Sequence, residues 1–252
     1  MDGVSERRRV AVLTGAARGI GLACAQRLAS DGHQIVIVDL DGGDQAAAAI
    51  TDTGAFATAL RCDLGAAESV DEVIAQVLER FGGCDVLVNN VAHGGGARVP
   101  FASHDRALWR RTFAVNFDAA VQLTTAFLPG MAQRRFGRVI NVLSNTLWSP
   151  PPIGIVAYVA SKGALLGFTR ALARETGDAG VTVNGVAPGL VRWRHEDLPH
   201  ADEFYDSVAA AQAIPRPLCP EDIADPVAFL ASDGASMMTG QTLCVDGGTV
   251  ML

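Results

Sequence analysis

Short apolar runs that never alternate with polar residues, each followed by a helical stretch, constrain this chain more than any other feature. Val10-Ala11-Val12-Leu13 is the first such run, and Gln34-Ile35-Val36-Ile37-Val38-Asp39, β-branched and uninterrupted, is the second. A strand with one wet face alternates, so runs like these belong to a parallel sheet covered on both sides. Further strands are predicted at residues 55–61, 86–88, 138–142, 181–184 and 242–245. Helices are predicted at 22–28, about 66–81, 103–133, 158–176 and 220–230, and 46–49 is a good helix-forming stretch. This alternation predicts an α/β fold: a doubly wound parallel sheet flanked by helices on both faces. No linker or repeat interrupts it, so a single domain over residues 1–252 is expected. Residues 190–217 fit the pattern worst, with charges, prolines and weak periodicity, and are expected to form a flap over a cleft.

Apolar residues make up 49% of the 252 and charged residues 19%, which excludes a disordered chain. Twenty Lys+Arg against 27 Asp+Glu give a net charge of -7, which argues against a nucleic-acid partner. The basic run Arg7-Arg8-Arg9 reads as a solvated lead-in to the first strand. No apolar stretch reaches the length of a membrane span and no hydrophobic leader is visible, so a soluble, cytoplasmic protein without a membrane partner is expected. Cys24, Cys62, Cys84, Cys219 and Cys244 are odd in number and contain no C-x-x-C pair. They suggest reduced core thiols, with neither a metal site nor a disulfide framework. Glycine, at 27 residues, exceeds the average usage of about 7% without any collagen-like period. The glycines must therefore sit at chosen backbone positions.

Some of those positions lie in Thr14-Gly15-Ala16-Ala17-Arg18-Gly19-Ile20-Gly21, between the first strand and the first helix. Gly15, Gly19 and Gly21, with Arg18 and Ile20 between them, would let backbone approach a pyrophosphate at a helix N-terminus. A tight strand-to-helix turn without a ligand has the same local sequence, and Asp39 is what separates the two. It closes the second strand at the spacing from which a carboxylate accepts ribose hydroxyls. A 2'-phosphate there would meet Asp39 and Asp41, and one like-charge contact at 4 Å costs roughly 4 kcal/mol at an effective dielectric of about 20. The expected cofactor is NAD, with Arg18 the contrary hint.

Tyr158 and Lys162 are i and i+4, on one face of a helix. An ammonium nearby is expected to favour the phenolate and lower the tyrosine pKa, making Tyr158 a general base for alcohol oxidation and an acid for ketone reduction. Tyr158-Val159-Ala160-Ser161-Lys162, with the glycine turn, Asn89-Asn90, Asn116, Ser144 and Pro188-Gly189, resembles the short-chain dehydrogenase/reductase family of Rossmann-fold oxidoreductases. The likeness runs on through Thr239-Gly240-Gln241 and Asp246-Gly247-Gly248. It implies that Lys162 also binds the nicotinamide ribose, that Ser144 hydrogen-bonds the substrate oxygen, and that Asn116 holds a water relaying protons to Lys162. It further implies that Asp63 and the Leu64 backbone meet adenine, that Asn90 lies along the adenosine ribose, and that the Val191 backbone, after Pro188-Gly189, meets the carboxamide. Asp63 is also compatible with a helix cap before Ala66.

Three departures fall on the substrate side. Asn89-Asn90-Val91-Ala92 loses the final glycine of the family's N-N-A-G, ahead of His93-Gly94-Gly95-Gly96; the loop from Ser144 to Tyr158 is one residue longer and holds Pro150-Pro151-Pro152; and Trp193 replaces a frequent threonine. Within the family the chain looks most like NAD-dependent secondary-alcohol dehydrogenases of the 1-phenylethanol type, on Ser144-Asn145-Thr146-Leu147-Trp148, Gln212-Ala213-Ile214-Pro215-Arg216 and Gly240-Gln241-Thr242-Leu243. Trp148, Trp193, Ile153 and Leu147 are expected to line an apolar pocket near Ala92, suited to an aryl or alkyl ketone. Either tryptophan is equally compatible with loop or subunit packing. His93 and His195 are compatible with contact to a polar substrate tail and equally with exposed histidines that have no role. A 3-oxoacyl thioester reductase, a diol or sugar dehydrogenase and a non-catalytic nucleotide sensor are the alternatives. The resemblance also implies a homotetramer, or at least a dimer.

Overall fold

The computed structural model describes residues 7–94, 100–152, 154–192 and 201–252. From its first strand the chain alternates through β1 (Val10–Thr14), α1 (Gly19–Ser30), β2 (Gln34–Asp39), α2 (Gly43–Thr51), β3 (Phe56–Arg61), α3 (Ala67–Phe81) and β4 (Val86–Asn89). A helical arm follows, α4 (Arg106–Phe113) running through a π-helical turn (Ala114–Asp118) into α5 (Ala119–Arg134). Then come β5 (Gly137–Val142), α6 (Val156–Thr176), β6 (Val181–Pro188), α7 (Ala201–Ala209), α8 (Pro220–Ala231) and β7 (Thr242–Val245). The seven strands form one parallel sheet in the order β3-β2-β1-β4-β5-β6-β7. Strand order reverses between β1 and β4, so the loops after them part and leave a crevice at the carboxyl edge, where ligands of such sheets bind.

The absence of polar alternation has its cause in two cores. Ala11, Leu13, Ile35, Ile37 and Val88 face one core with α1 and α8, through Cys24, Leu28, Ile223 and Val227. Val10, Val12, Val36, Val38 and Leu87 face the other with α3 and α5, through Val70, Val77, Leu123 and Phe127. Each fully buried aliphatic side chain contributes about 1.5–3 kcal/mol of transfer free energy, so the middles of β1 and β2 are apolar on both faces. Cys24, Cys62 and Cys84 are buried and Cys219 and Cys244 half-buried, all as free thiols.

The helix expected at 103–133 is interrupted. Asp105 caps α4 by accepting from the Ala107 N–H at 2.9 Å, and the π turn separates α4 from α5. Inside the stretch expected as a flap, residues 201–209 form α7, and Arg192 binds Asp206 at 2.9 Å. The lead-in Arg7-Arg8-Arg9 is not merely solvated. Arg7 forks onto the buried Asp85 at 2.7 and 2.8 Å, which Arg134 binds at 2.9 Å; Arg8 covers Phe56, and Arg9 covers Phe136 while reaching Asp233. A buried carboxylate is costly unless paired, which is what holds this segment down. Among the described residues no helix is long and apolar enough to cross a membrane, and no cluster of three or more metal-ligating side chains occurs.

Candidate active site

After β1 the chain turns through Gly15 and enters α1 at Gly19, with φ of 63° and 56°, a left-handed region that L side chains resist. Gly21 is needed for a different reason: a Cβ there would stand 2.7 Å from Ala16 Cα and closer still to the Gly15 carbonyl. Helix α1 begins with neither a side-chain cap nor an acidic residue in its first turn. Its leading N–H groups and the positive end of its dipole are thus left for an anion. Asn90 braces this turn from the end of β4, its Nδ2 donating to the Thr14 and Gly15 carbonyls at 2.9 Å each. Thr14 Oγ1 in return accepts from the Asn90 and Val91 N–H groups.

Asp39 is fixed at the end of β2 by backbone alone, Oδ2 accepting from Ala17 N–H at 2.9 Å and Oδ1 from Leu40 N–H at 2.8 Å. The cleft beside it, about 220 Å³, is lined by Asp39, Asp41 and Asp44 against Arg61, whose Nε donates to the Leu40 carbonyl. Arg18 is exposed. Asp63 does not cap the following helix, since α3 starts at Ala67 without a side-chain cap. Its Oδ1 accepts instead from Gly65 N–H at 2.9 Å and from Arg111 at 2.6 Å, and the guanidinium holds the carboxyl below its ordinary range. Leu64 beside it is buried.

On the other side of the crevice the structure brings Ser144, Tyr158 and Lys162 together where β5 ends and α6 begins. Lys162 is 1% exposed and donates from Nζ to the Val142 carbonyl at 2.6 Å. Burial pushes its ammonium down to about 8. Tyr158 is half-buried, and burial raises its phenol above the ordinary value while a hydrogen bond with Ser144 opposes the rise. The expected lowering of the Tyr158 pKa by Lys162 is therefore corrected: Nζ sits 5.8 Å from the ring centroid and spends itself on a carbonyl, so desolvation dominates. Ser144 Oγ accepts from Thr146 Oγ1 at 2.9 Å.

Asn116 lies in the π turn, a feature frequent at functional sites. Its Oδ1 accepts from His93 N–H at 2.6 Å, and its Nδ2 donates to the His93 carbonyl at 3.1 Å and to Ser161 Oγ at 3.0 Å. Ser161 Oγ in turn donates to the Tyr158 carbonyl at 2.7 Å. Ser161 was not singled out from the sequence, although its place inside the Tyr158–Lys162 motif was the available signal. His93 Nδ1 lies 3.3 Å from Thr112 Oγ1, whose hydrogen goes to the Leu108 carbonyl, so Nδ1 is the donor of that pair. Ala92 precedes it in the same loop.

Leu147 and Trp148 lean on the cluster of Ala120, Leu143, Leu165 and Ala187, together with Phe117 and Phe168. Ile153, Trp193 and His195 lie outside the described residues, as do Gly95 and Gly96. An apolar cleft of about 560 Å³ borders the first turn of α6, lined by Phe101, Pro150, Pro151, Ile155, Val156 and Val159. It sits on a different face of α6 from Tyr158 and Lys162, roughly 130° away at 100° per residue. Pro188 ends β6 and Gly189 donates to the Val245 carbonyl at 2.9 Å, while Val191 bridges to Leu218. A Cβ on Gly189 would stand 2.8 Å from that of Asp246, whose carboxylate ties Gly248 and Val250 N–H groups to Asn145 Nδ2, next to Ser144.

Residues 15–250 match the family model described as Enoyl-(Acyl carrier protein) reductase. The chain is 36% identical over 248 residues to human Dehydrogenase/reductase SDR family member 4, covering 96% of this chain and 87% of that protein. The chain belongs to the short-chain dehydrogenase/reductase family. It is likewise 35% identical over 248 residues to the 3-oxoacyl-[acyl-carrier-protein] reductase FabG of Vibrio cholerae, covering 97% of this chain and 98% of that protein. Among solved structures, a protein of Beutenbergia cavernae assigned as an NAD(P) dependent gluconate 5-dehydrogenase, with NADP bound at low occupancy, superposes with a TM-score of 0.89. It shares 37% identity and covers 97% of this chain and 98% of its own. A short-chain dehydrogenase/reductase is an oxidoreductase whose Rossmann fold binds a nicotinamide cofactor, and the parallel sheet described above is that fold.

Proposed function

We propose that this protein moves a hydride between NAD(H) and a secondary alcohol or its ketone, with Tyr158 moving the proton. The residues fit the cofactor: uncapped N–H groups at α1, a turn closed to any Cβ at Gly21, and the backbone-fixed Asp39. The cofactor, when bound, supplies a nicotinamide carbon that accepts or gives the hydride. In oxidation, Ser144 and Tyr158 hold the substrate hydroxyl, whose proton passes to the Tyr158 phenolate as the carbinol C–H leaves as hydride. In reduction, the Tyr158 phenol returns the proton to the carbonyl oxygen. Lys162, whose ammonium has donors left beside the one on the Val142 carbonyl, would hold the nicotinamide ribose, and Asn116, anchored to Ser161 and His93, would keep the proton route open behind Tyr158. The observation that carries this reading is the gathering of Ser144, Tyr158 and the buried Lys162 in one place, with Nζ 5.8 Å from the Tyr158 ring and Ser144 the partner that holds the phenol down.

Preference for NAD over NADP is supported by three carboxylates lining the cleft beside β2. Aryl or alkyl ketones are supported by the apolar character of the loop from Leu147 to Ile155. A second reading, reduction of a 3-oxoacyl thioester, is favoured by the likeness to the Vibrio cholerae reductase. Initial rates on a panel of free ketones and 3-oxoacyl thioesters, each with NADH and NADPH, separate the two. Faster turnover of free ketones with NADH is expected; a strong NADPH preference with thioesters overturns the proposal in favour of the second reading. We further propose a homotetramer or dimer built through the α4–α5 arm and α6, and light scattering showing monomer alone refutes it.

A further inference from the structure

The loop after β3 holds a polar arrangement that hydride transfer does not call on. Cys62 N–H donates to the Asp39 carbonyl at 2.9 Å, which sets Asp63 beside the end of β2. Along the carboxyl edge the order is then the glycine turn at β1, Asp39 at β2 and Asp63 beyond β3. Neighbouring strands lie about 4.8 Å apart. A dinucleotide with its pyrophosphate on the turn and its ribose at Asp39 therefore brings its base to Asp63.

Arg111 of α4 grips that carboxylate, Nη2 donating to Oδ1 at 2.6 Å and Nη1 to Oδ2 at 3.2 Å, while Gly65 N–H donates to Oδ1 at 2.9 Å. A carboxylate offers about four lone pairs. Three are taken, and the one left is on Oδ2. The guanidinium also keeps Asp63 ionised, so it can accept and not donate. Gly65 makes room for this: a Cβ there would overlap the guanidinium and stand 2.9 Å from Nε. Both side chains are 39% exposed, and pairs so exposed add about 0–1 kcal/mol of stability. What the pair does contribute is orientation.

We propose that Arg111 is a positioning residue that, through Asp63, presents a single acceptor to the cofactor base. It thereby selects adenine, whose exocyclic amine donates, against a base carrying a carbonyl at that place. This inference rests on the dinucleotide-binding part of the proposed function and not on the hydride transfer. Calorimetric titration of the full chain with NAD and with its hypoxanthine analogue tests it. The wild-type protein is expected to favour NAD by about tenfold or more. Arg111→Met weakens NAD binding by roughly tenfold and brings the two affinities within about threefold of each other. Gly65→Ala pushes the guanidinium aside while keeping its charge, and moves the ratio the same way; Arg111→Lys, which keeps charge without the fork, falls between. A lowered melting temperature with an unchanged ratio in both Arg111→Met and Gly65→Ala makes the pair merely structural and overturns the proposal, as does a wild-type ratio near one. If the wild-type protein binds neither dinucleotide, the reading beneath the proposal fails with it.

Discussion

The two sides of the crevice hold their functional groups by different means. On the β1–β3 side, Asp39 is clasped by the N–H groups of Ala17 and Leu40, and the Asn90 amide by the carbonyls of Thr14 and Gly15. On the β4–β7 side, side chains join the backbone in holding side chains: Asn116 binds Ser161 as well as the His93 backbone, Thr146 binds Ser144, and Asn145 binds Asp246. Backbone donors persist whatever residues surround them. A chain of side chains needs each member present, so the second side is where one substitution travels furthest.

The sharpest break between the sides is Tyr158→Phe, which removes one hydroxyl from the chained side. Turnover should fall about 10²–10⁴-fold, while NAD affinity, set on the clasped side, stays within about twofold in a fluorescence titration. Unchanged turnover would falsify the assignment of the proton to Tyr158.

Asp85→Ala tests the opposite end of the sheet, leaving Arg7, Arg134 and the Val10 N–H without their shared partner. Urea unfolding should show a loss of about 3 kcal/mol, with kcat per folded molecule unaltered. A catalytic defect as large as the stability loss would mean that the far edge and the crevice are one cooperative unit.

Lys162→Met sets function against stability. Because the folded ammonium titrates at about 8 against an ordinary value of 10.5, burial disfavours the charged form, and the unfolded chain binds more protons between those values. The penalty is fully present below about pH 8 and fades as pH rises toward 10.5. The variant should therefore lose activity yet gain about 1–3 kcal/mol at neutral pH, less whatever the orphaned Val142 carbonyl costs. The gain should shrink in alkaline melts, and a gain that grows with pH contradicts the sign.

The pH profile of the unaltered protein is a gentler probe. With Tyr158 raised by burial, alcohol oxidation needs a scarce phenolate and should climb about tenfold per pH unit through neutrality, while ketone reduction stays level. Smallest is Asp39→Ser, which removes one half-exposed charge and should raise the NADPH-to-NADH ratio of kcat/KM about tenfold, more at low salt. No change in that ratio would place cofactor choice elsewhere, with Arg18 the first residue to examine.

How much of this was legible in the sequence follows the same division. The strand at 34–39 coincides with its predicted bounds because burial of its middle four residues leaves an unmistakable apolar run, and 242–245 coincides as well although that edge strand is only half-buried. The glycine turn was legible because its geometry is local. Arg111 on Asp63 and Arg7 on Asp85 were not, since partners 48 and 78 residues apart leave no periodic trace. The effect of Lys162 on Tyr158 was misread for a related reason. Helical spacing shows that it shares a face with Tyr158, but not that a carbonyl at the end of β5 lies within its reach. Leu147 and Trp148 were identified as apolar, yet the side of the loop on which they pack depends on α5 and α6.

The π turn at Ala114–Asp118 carries a consequence of another kind. An α-helix advances about 100° per residue, and a π turn is the mark of one residue more than the regular winding needs. That extra residue sets the phase of the whole arm, so α4 shows Arg111 and Thr112 to the crevice while α5 turns Leu123 and Phe127 into the core beneath α3. Deleting one residue there other than Asn116 would leave the composition of the site intact and rotate its two halves out of step.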